Sequence, residues 1–265
     1  MLKLLAVVAV FFMTGCATIP VPEAARMELA PTGKLRAGMN LTNTLFTQKD
    51  ASGKLHGIAV DVMNELGARL GVPVEMVVHQ SPGLVADAVN KNTWDVAILA
   101  IEASRAQTIS FSPPISAIEA TYVVRKDSPL RSVEQVDSSG VRIAAPAKAG
   151  YELYLRTALK NATLVDSKDL QGSIDMINGR KAEAMAALKP MLIDSMPQMP
   201  DARLLDGRFM TVNHGLSISR SKPAADEYLK QFVRELNASG FIARSIERHG
   251  IKGDRKSTRL NSSHQ

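Results

Sequence analysis

Apolar residues along the chain fall into short runs that follow two different spacings. Residues 94–100 (WDVAILA) are almost continuously apolar, as expected for a strand that is buried on both faces. Residues 60–70 instead repeat an apolar position every three to four residues, which predicts a helix with one apolar face. Gly71 and Pro73 follow directly and predict that this helix ends there.

The two spacings alternate along most of the chain, which predicts an α/β fold with mostly parallel sheets flanked by helices. A break at Ser112-Pro113-Pro114 separates two such sets, one before and one after about residue 122. The predicted strands are 35–39, 74–78, 94–100, 120–124, 141–145, 163–165, 182–187 and 216–218. The predicted helices are 60–70, 84–89, 151–159, 170–178, one opened by Pro190, one capped by Ser221 with Pro223 in its first turn and running to Asn237, and 241–249.

The N-terminal residues 1–16 (MLKLLAVVAVFFMTGC) predict a lipoprotein signal peptide. Lys3 precedes a ten-residue apolar stretch, which is too short to span a bilayer but typical of a signal-peptide core. The stretch ends in small residues before Cys16, and this resembles a bacterial lipobox, with Met13 where leucine is usual. We therefore expect Cys16 to be lipidated, and residues 17–33, with three prolines, to form a tether. A conventionally cleaved signal with an incidental cysteine, or a cytoplasmic protein with a buried N-terminal helix, are the alternatives.

Composition excludes several classes of protein. The formal net charge is +6, but no run of basic residues interleaved with aromatic residues suggests a nucleic-acid surface. Cys16 is the single cysteine, so an intrachain disulfide is impossible. No set of cysteine and histidine residues has metal-ligand spacing, and no cofactor is predicted.

The C-terminal residues 254–265 stand apart from this pattern. They are polar, lack periodicity, and follow the predicted stop of the last helix at Gly250. Residues 254–264 (DRKSTRLNSSH) resemble the translation of a common sequencing-library adapter. We therefore expect them to be non-native and the native chain to be interrupted after about Gly253, with a natural basic tail as the alternative.

Several stretches together resemble the extracytoplasmic solute-binding proteins of family 3, which serve polar amino-acid ABC importers. They include residues 35–40 (LRAGMN), 53–75, 94–114, 141–155 and 238–250, in the family's order. The resemblance extends over about residues 34–252 and points to a less-characterised branch. It implies a two-lobed periplasmic-binding-protein-like fold of type II, with a ligand between the lobes.

The same resemblance implies the domain boundaries and the partners. Lobe 1 is expected at 34–122 plus 215–253 and lobe 2 at 123–214, joined by two crossover strands. The expected partners are a small polar or anionic solute, such as an amino acid or a related carboxylate, and an ABC permease in the inner membrane. We expect a monomer that is periplasmic and lipid-anchored to the cell membrane or the outer membrane.

Arg105 is the strongest candidate for ligand binding. It follows the buried strand 94–100, and in open α/β sheets ligands bind at the carboxyl ends of strands. In the family an arginine at this place holds the ligand's carboxylate, which a planar guanidinium can contact with two N–H groups. Glu102 occupies a loop two residues shorter than usual. It could pair with Arg105, bind a ligand cation, or face solvent.

Further candidates come from both halves of the chain. Residues 148–151 (Lys148, Ala149, Gly150 and Tyr151) match the family's loop at a helix N-terminus, where free N–H groups suit an anion. Asn40 and Asn43 could donate to a ligand or serve only as turn residues. Phe46 matches a ligand-stacking aromatic residue but could be core. The assignments of residues 148–151 and of Phe46 follow from the resemblance, whereas those of Asn40 and Asn43 follow from their position after the first strand.

One expected residue is missing. The family usually places an aspartate after strand 182–187 to hold the ligand's α-amino group, and this chain has Ala187 or Leu188 there. That departure leaves the ligand class open. Two functions remain as alternatives to import: a cyclohexadienyl-dehydratase-like enzyme, for which Glu102 is the sole acid–base candidate, and a ligand-sensing lipoprotein.

Overall fold

The computed structural model describes residues 19–250 and a short strand at 258–259. The predicted signal peptide, Cys16 and the rest of the predicted foreign tail lie outside the described residues. The helices are α1 Glu23–Leu29, α2 Ile58–Leu70, α3 Pro82–Asp87, α4 Gly150–Ala158, α5 Leu170–Asn178, α6 Lys189–Ser195, α7 Pro223–Ala238 and α8 Phe241–Arg248. The strands are β1 Leu35–Asn40, β2 Gln48–Lys49, β3 Leu55–His56, β4 Val74–His79, β5 Val96–Ala100, β6 Ile109–Phe111, β7 Ser116–Arg125, β8 Arg142–Pro146, β9 Thr163–Ser167, β10 Ala184–Leu188, β11 Ala202–Leu204, β12 Met210–Ser219 and β13 Thr258–Arg259.

The predicted α/β class and the two-lobed arrangement are confirmed. In the first lobe β4, β1 and β5 pair in parallel, and in the second lobe β10, β8 and β9 do the same. Parallel neighbours require crossover connections, and helices supply them between successive strands. Strand β5 is buried at every position, which explains its continuous apolar sequence.

Two ten-residue strands, β7 and β12, run from one lobe to the other. They pair antiparallel with each other from Met210 opposite Ala120 to His214 opposite Ser116. Beyond this shared segment β12 pairs with β5 and β6, while β7 pairs with β10 and β11. The sequence predicts only the apolar part of each strand, because the half that crosses between lobes is mixed in polarity.

Helix ends follow the predicted signals with one exception. Helix α2 ends at Gly71, whose φ of 67° is the left-handed conformation that glycine adopts without strain. Ser221 was expected to cap α7, but the capping residue is Lys222 and it makes no side-chain cap bond. The Ser221 hydroxyl instead lies 2.9 Å from the Ser219 hydroxyl. Pro223 does occupy the first turn, as predicted.

The predicted tether at residues 17–33 contains helix α1, which packs against α7. Ala25 and Leu29 are fully buried, and Glu28 accepts a hydrogen bond of 2.7 Å from the Ala225 N–H. Only two apolar residues, four positions apart, anchor this short helix, so the sequence alone gives little periodicity to detect. These residues therefore belong to the folded body of lobe 1.

No helix in the described ranges is long and apolar enough to cross a membrane.

Candidate functional site

A cavity lies between the two lobes, where the carboxyl ends of the parallel strands meet. The first lobe contributes the larger share of its wall: Gly38, Asn40, Thr42, Asn43, Phe46, Thr47, Ala59, Pro82, Ile98, Leu99, Ala100 and Arg105. The second lobe contributes Pro146, Ala149, Gly150, Tyr151, Leu170, Leu188 and Met191. The crossing strand β12 adds Val212 and His214. Seven of the nine ligand-binding residues predicted from the sequence are therefore found in one wall.

Arg105 opens a single 3-10 turn that is separated from β5 by four residues, and it is only 6% exposed. Its guanidinium donates to the Ala100 carbonyl at 3.1 Å and to the Lys148 carbonyl of the other lobe at 2.9 Å. These two bonds use only part of its N–H donors, and Arg105 lines the cavity. Burial lowers the pKa of Arg105 to about 10, so the group remains a cation near neutral pH. The turn thus presents a fixed positive charge with spare donors.

Glu102 does not line the cavity, and no ion pair joins it to Arg105 within the part of the chain that the structure describes. It lies against the second lobe, where an added Cβ on Gly150 would be 3.8 Å from its Oε1. Burial raises the pKa of Glu102, and the charge of Arg105 opposes that shift. Glu102 is therefore a neighbouring countercharge of Arg105, placed outside the cavity wall.

Lys148 was predicted to bind the ligand as part of the loop 148–151, but its ammonium group points out of the cavity wall. Its Nζ lies 2.5 Å from Asp87 of the first lobe, and both side chains are at least half exposed. The backbone of Lys148 has a φ of 58°, and its N–H donates to the Glu152 carboxylate at 2.9 Å. Lys148 therefore connects the lobes through its carbonyl, bonded by Arg105, and through its side chain.

The N-terminus of α4 reaches the cavity through Ala149, Gly150 and Tyr151. The first N–H groups of a helix have no acceptor within the helix and lie at the positive end of its dipole. An added Cβ on Gly150 would lie 2.4 Å from the Ala100 Cβ of the first lobe. Glycine is thus the residue that lets this helix end approach β5 so closely.

The asparagines of the first lobe order a turn and also line the cavity. Asn40 accepts hydrogen bonds from the Thr42 N–H at 3.1 Å and the Thr42 hydroxyl at 2.9 Å, and Asn43 accepts one from the Leu45 N–H at 3.3 Å. Both oxygens therefore order the turn after β1. Both residues also line the cavity, and their amide N–H₂ groups are donors that these turn bonds leave free.

Phe46 and His214 form an aromatic pair in the same wall, with ring centroids 4.8 Å apart. His214 was not among the predicted ligand-binding residues, yet it lies on β12 and is 5% exposed. Burial, with the nearby charge of Arg105, lowers the pKa of His214 to about 3, so the ring is neutral. Its Nδ1 is buried without a hydrogen-bond partner. The one available sequence signal was a histidine within a crossover strand.

The far wall in the second lobe is apolar. Leu170, Leu188 and Met191 line it, and Pro146 and Val212 complete it. Leu188 follows directly on Ala187 at the place where the family resemblance led us to look for an aspartate, and Ala187 itself does not line the cavity. This surface therefore offers dispersion contacts and no charge.

Two lobes joined by crossing strands, with a buried arginine and a helix N-terminus in the cavity between them, define the class of two-lobed ligand-binding proteins. The chain belongs to the bacterial extracellular solute-binding proteins, family 3, whose sequence profile matches residues 35–252. The family resemblance seen in the sequence is thus confirmed. A member of this family is the solute-binding component of an ABC-type importer and works outside the cytoplasm.

Two curated relatives agree with this assignment. A probable amino-acid ABC transporter-binding protein of Haemophilus influenzae is 29% identical over 184 residues, which are 68% of this chain and 69% of that protein. The lysine/arginine/ornithine-binding periplasmic protein of Escherichia coli is 27% identical over 126 residues, which are 47% of this chain and 46% of that protein.

Solved structures share the fold. A mutant of ArgBP from T. maritima superposes with a TM-score of 0.73 at 22% identity, over 86% of this chain and all of that one. An ancestral amino acid-binding protein, described as a precursor of cyclohexadienyl dehydratase, gives 0.72 at 21% identity over 86% of this chain and 99% of that one. At these identities the likeness concerns the fold alone.

Proposed function

We propose that the protein captures a small carboxylate-bearing solute in the cavity between its lobes and delivers it to an ABC permease, with Arg105 as the anion clamp. The observation that carries this proposal is the buried guanidinium of Arg105, which lines the cavity with N–H donors beyond those that bond Ala100 and Lys148. A buried cation stabilises an enclosed anion strongly because little water screens the pair.

Closure of the lobes around the solute supports a role in transport. Arg105 of the first lobe bonds the Lys148 carbonyl of the second, and Gly150 approaches Ala100 closely. Periplasmic binding proteins close around their ligands by a hinge motion of the two lobes. A closed pair of lobes gives a permease a shape that differs between loaded and unloaded protein.

The proposed place of action is the outer face of a membrane, with a lipid on Cys16 as the anchor and a monomer as the working unit. Support comes from the signal-like residues 1–16 and from the position of helix α1, which begins at Glu23, only a short distance along the chain from Cys16. We expect Cys16→Ala to move the protein from the membrane fraction to the soluble periplasmic fraction. Unchanged membrane attachment would exclude this anchor.

We also propose that the solute is bound without chemical change. Within the described residues the cavity wall contains no carboxylate, and His214 is its sole histidine, so an acid–base pair of the usual kind is not assembled there. Incubation with prephenate and with arogenate tests this point by mass spectrometry. Recovery of unchanged compound is expected, and accumulation of their dehydration products would instead assign an enzyme.

The main test is a thermal-unfolding screen with small carboxylates, amino acids and amines. A ligand that binds only the folded state raises the unfolding temperature, by an amount that grows with the logarithm of its concentration above the Kd. We expect Arg105→Ala to abolish the shift caused by any carboxylate hit. The matched control is Arg203→Ala, because Arg203 also donates to two backbone carbonyls, Ser128 and Leu130, but lies outside the cavity wall. An intact shift in the Arg105 variant would contradict the clamp.

A further inference from the structure

The side chains that line the cavity carry formal charge of one sign only. Among the residues of the wall that the structure describes, Arg105 is the sole formally charged group. The other polar side chains that line the cavity are neutral: Asn40, Thr42, Asn43, Thr47, Tyr151 and His214. The wall therefore compensates an anion and offers no countercharge to a cation.

The carboxylates nearest to Arg105 lie outside the cavity wall. Asp87 pairs with Lys148 at 2.5 Å on the outer side of the contact between the lobes. Glu152 binds the Arg156 guanidinium and accepts the Lys148 N–H. Glu102 lies beside Gly150, and its charge favours the cationic form of Arg105. Each of these three groups supports the cation without lining the cavity.

An α-amino acid would bring an ammonium group next to its carboxylate. Enclosing an ammonium ion without a carboxylate partner is unfavourable, because the ion loses its water and gains no opposite charge. The guanidinium of Arg105 would repel it as well. Leu188 offers no charge from the second lobe, where it opens helix α6. A solute without the ammonium group avoids this loss.

His214 supplies an independent observation about the group that neighbours the carboxylate. Its ring is nine-tenths or more buried, lines the cavity, and has an Nδ1 without a partner. A neutral imidazole nitrogen can accept from a hydroxyl group or, in the other tautomer, donate to a carbonyl oxygen. A buried polar atom of this kind gains most from a neutral hydrogen-bonding group on the ligand.

We propose that the solute is a small monocarboxylic acid with a neutral, partly apolar body, such as a 2-hydroxy or 2-oxo acid, rather than an α-amino acid. Arg105 binds its carboxylate, His214 its neutral polar group, and the wall of Leu188, Met191 and Leu170 its apolar part. This inference rests on the proposed function and names the chemical class of its solute.

Calorimetry with matched acids tests the inference on the purified protein. The probes are the 2-amino, 2-hydroxy and 2-oxo acids with the side chains of alanine, leucine and phenylalanine, together with free arginine and lysine. We expect a 2-hydroxy or 2-oxo acid to bind about tenfold or more tightly than its amino counterpart. Equal or tighter binding of any amino acid, or binding by none of the hydroxy and oxo acids, would overturn the inference.

Arg105→Ala separates this failure from failure of the proposed function. Amino-acid binding that is lost in the Arg105→Ala variant would refute the solute class but keep the anion clamp and the transport role. If no probe binds in a way that depends on Arg105, the proposed function fails together with the solute class. Glu102→Gln is the remaining control. It should change the affinities of acids and amino acids by the same factor, and a selective loss of amino acids would show that Glu102 holds their ammonium group.

A gain-of-function variant tests the uncharged wall directly. Leu188 is the N-cap residue of α6, a position where aspartate and asparagine are both favourable, but it is only 2% exposed. Thermal unfolding of Leu188→Asp and Leu188→Asn is therefore measured first, and binding is compared between the two folded variants. We expect the aspartate variant to shift the preference toward amino acids by about tenfold relative to the asparagine variant. Identical preferences in the two variants would show that residue 188 does not face the group next to the carboxylate.

Discussion

The two lobes contribute different chemistry to the same cavity. The first lobe supplies charge and side-chain polarity through Arg105, Asn40 and Asn43, which lie at or beyond the carboxyl ends of parallel strands. The second supplies the N-terminus of α4 at Gly150 and an apolar surface that includes Leu188. The first lobe can therefore select an anion by charge, while the second selects by shape and by whether it can close.

The contacts between the lobes follow the same division. Side chains of the first lobe, Arg105 and Asp87, meet the single residue Lys148 of the second. Next to this junction, Gly150 lies against Ala100 with no room for a further carbon atom. A tight steric contact and a weaker polar one thus act side by side, and substitutions can separate their effects.

Among the variants at the contacts between the lobes, the largest loss of affinity is expected from Gly150→Ala. The new methyl group would lie 2.4 Å from the Ala100 Cβ, so the lobes could not close as they do here. We expect a loss of affinity of about 100-fold, consistent with the cost of overpacking a close contact. Calorimetry with the best ligand from the screen measures it.

Two further variants make that test specific. Ala100→Gly removes the opposing methyl group and should restore much of the affinity to the Gly150→Ala protein. Gly172→Ala is the control, because its new Cβ would meet Ser167 at an ordinary 3.4 Å within one lobe. Equal binding by the Gly150→Ala protein and the wild type would mean that closure does not bring these elements together.

The next prediction concerns the pH dependence of stability and His214, which lies on the crossing strand β12. Its folded-state pKa is lowered to about 3, whereas an unfolded histidine titrates near 6.5. The unfolded chain therefore takes up a proton first as the pH falls, and stability decreases. The contribution is complete above about pH 6.5 and declines by about 1.4 kcal/mol per pH unit between there and about pH 3.

Urea unfolding of the wild type and of His214→Gln at several pH values isolates this term, because other groups affect both proteins equally. The difference between the two free energies of unfolding should change with the slope given above. Parallel curves for the two proteins between pH 6 and pH 4 would show that His214 is not held neutral.

The smallest effect is expected from the polar contact between the lobes. Lys148 and Asp87 are 59% and 50% exposed, and a pair so accessible to water contributes only about 0.2–1 kcal/mol. Lys148→Met and Asp87→Asn should each weaken binding by up to about fivefold, and less so at high salt. The double variant should resemble either single variant. Additive losses would indicate that the two side chains act separately.

Much of the fold could be predicted from the sequence because its signals are local. The continuous apolar run of β5 and the glycine after α2 each specify their element without reference to distant residues. Helix α1 could not be predicted, because its few apolar residues form no clear periodic pattern and are buried only by packing against α7. The crossing halves of β7 and β12 were missed for a related reason, since their partners lie far away in sequence.

The candidate site divides in the same way. Arg105 and Gly150 were accessible because a buried strand or a helix start lies close to each of them in the sequence. The apolar wall at Leu188 was indicated only as a departure from the family pattern. The pairing of Lys148 with Asp87 and the bare Nδ1 of His214 depend on how the lobes meet, which no local pattern encodes.

The central claim is that Arg105 binds the carboxylate of the solute, and a thermodynamic cycle measures this pair directly. Calorimetry would compare the best carboxylate ligand with its carboxamide, on the wild type and on Arg105→Met. We predict that the carboxylate is preferred by about 100-fold or more in the wild type and that this preference disappears in the variant. An equal preference for the carboxylate in both proteins would contradict the account.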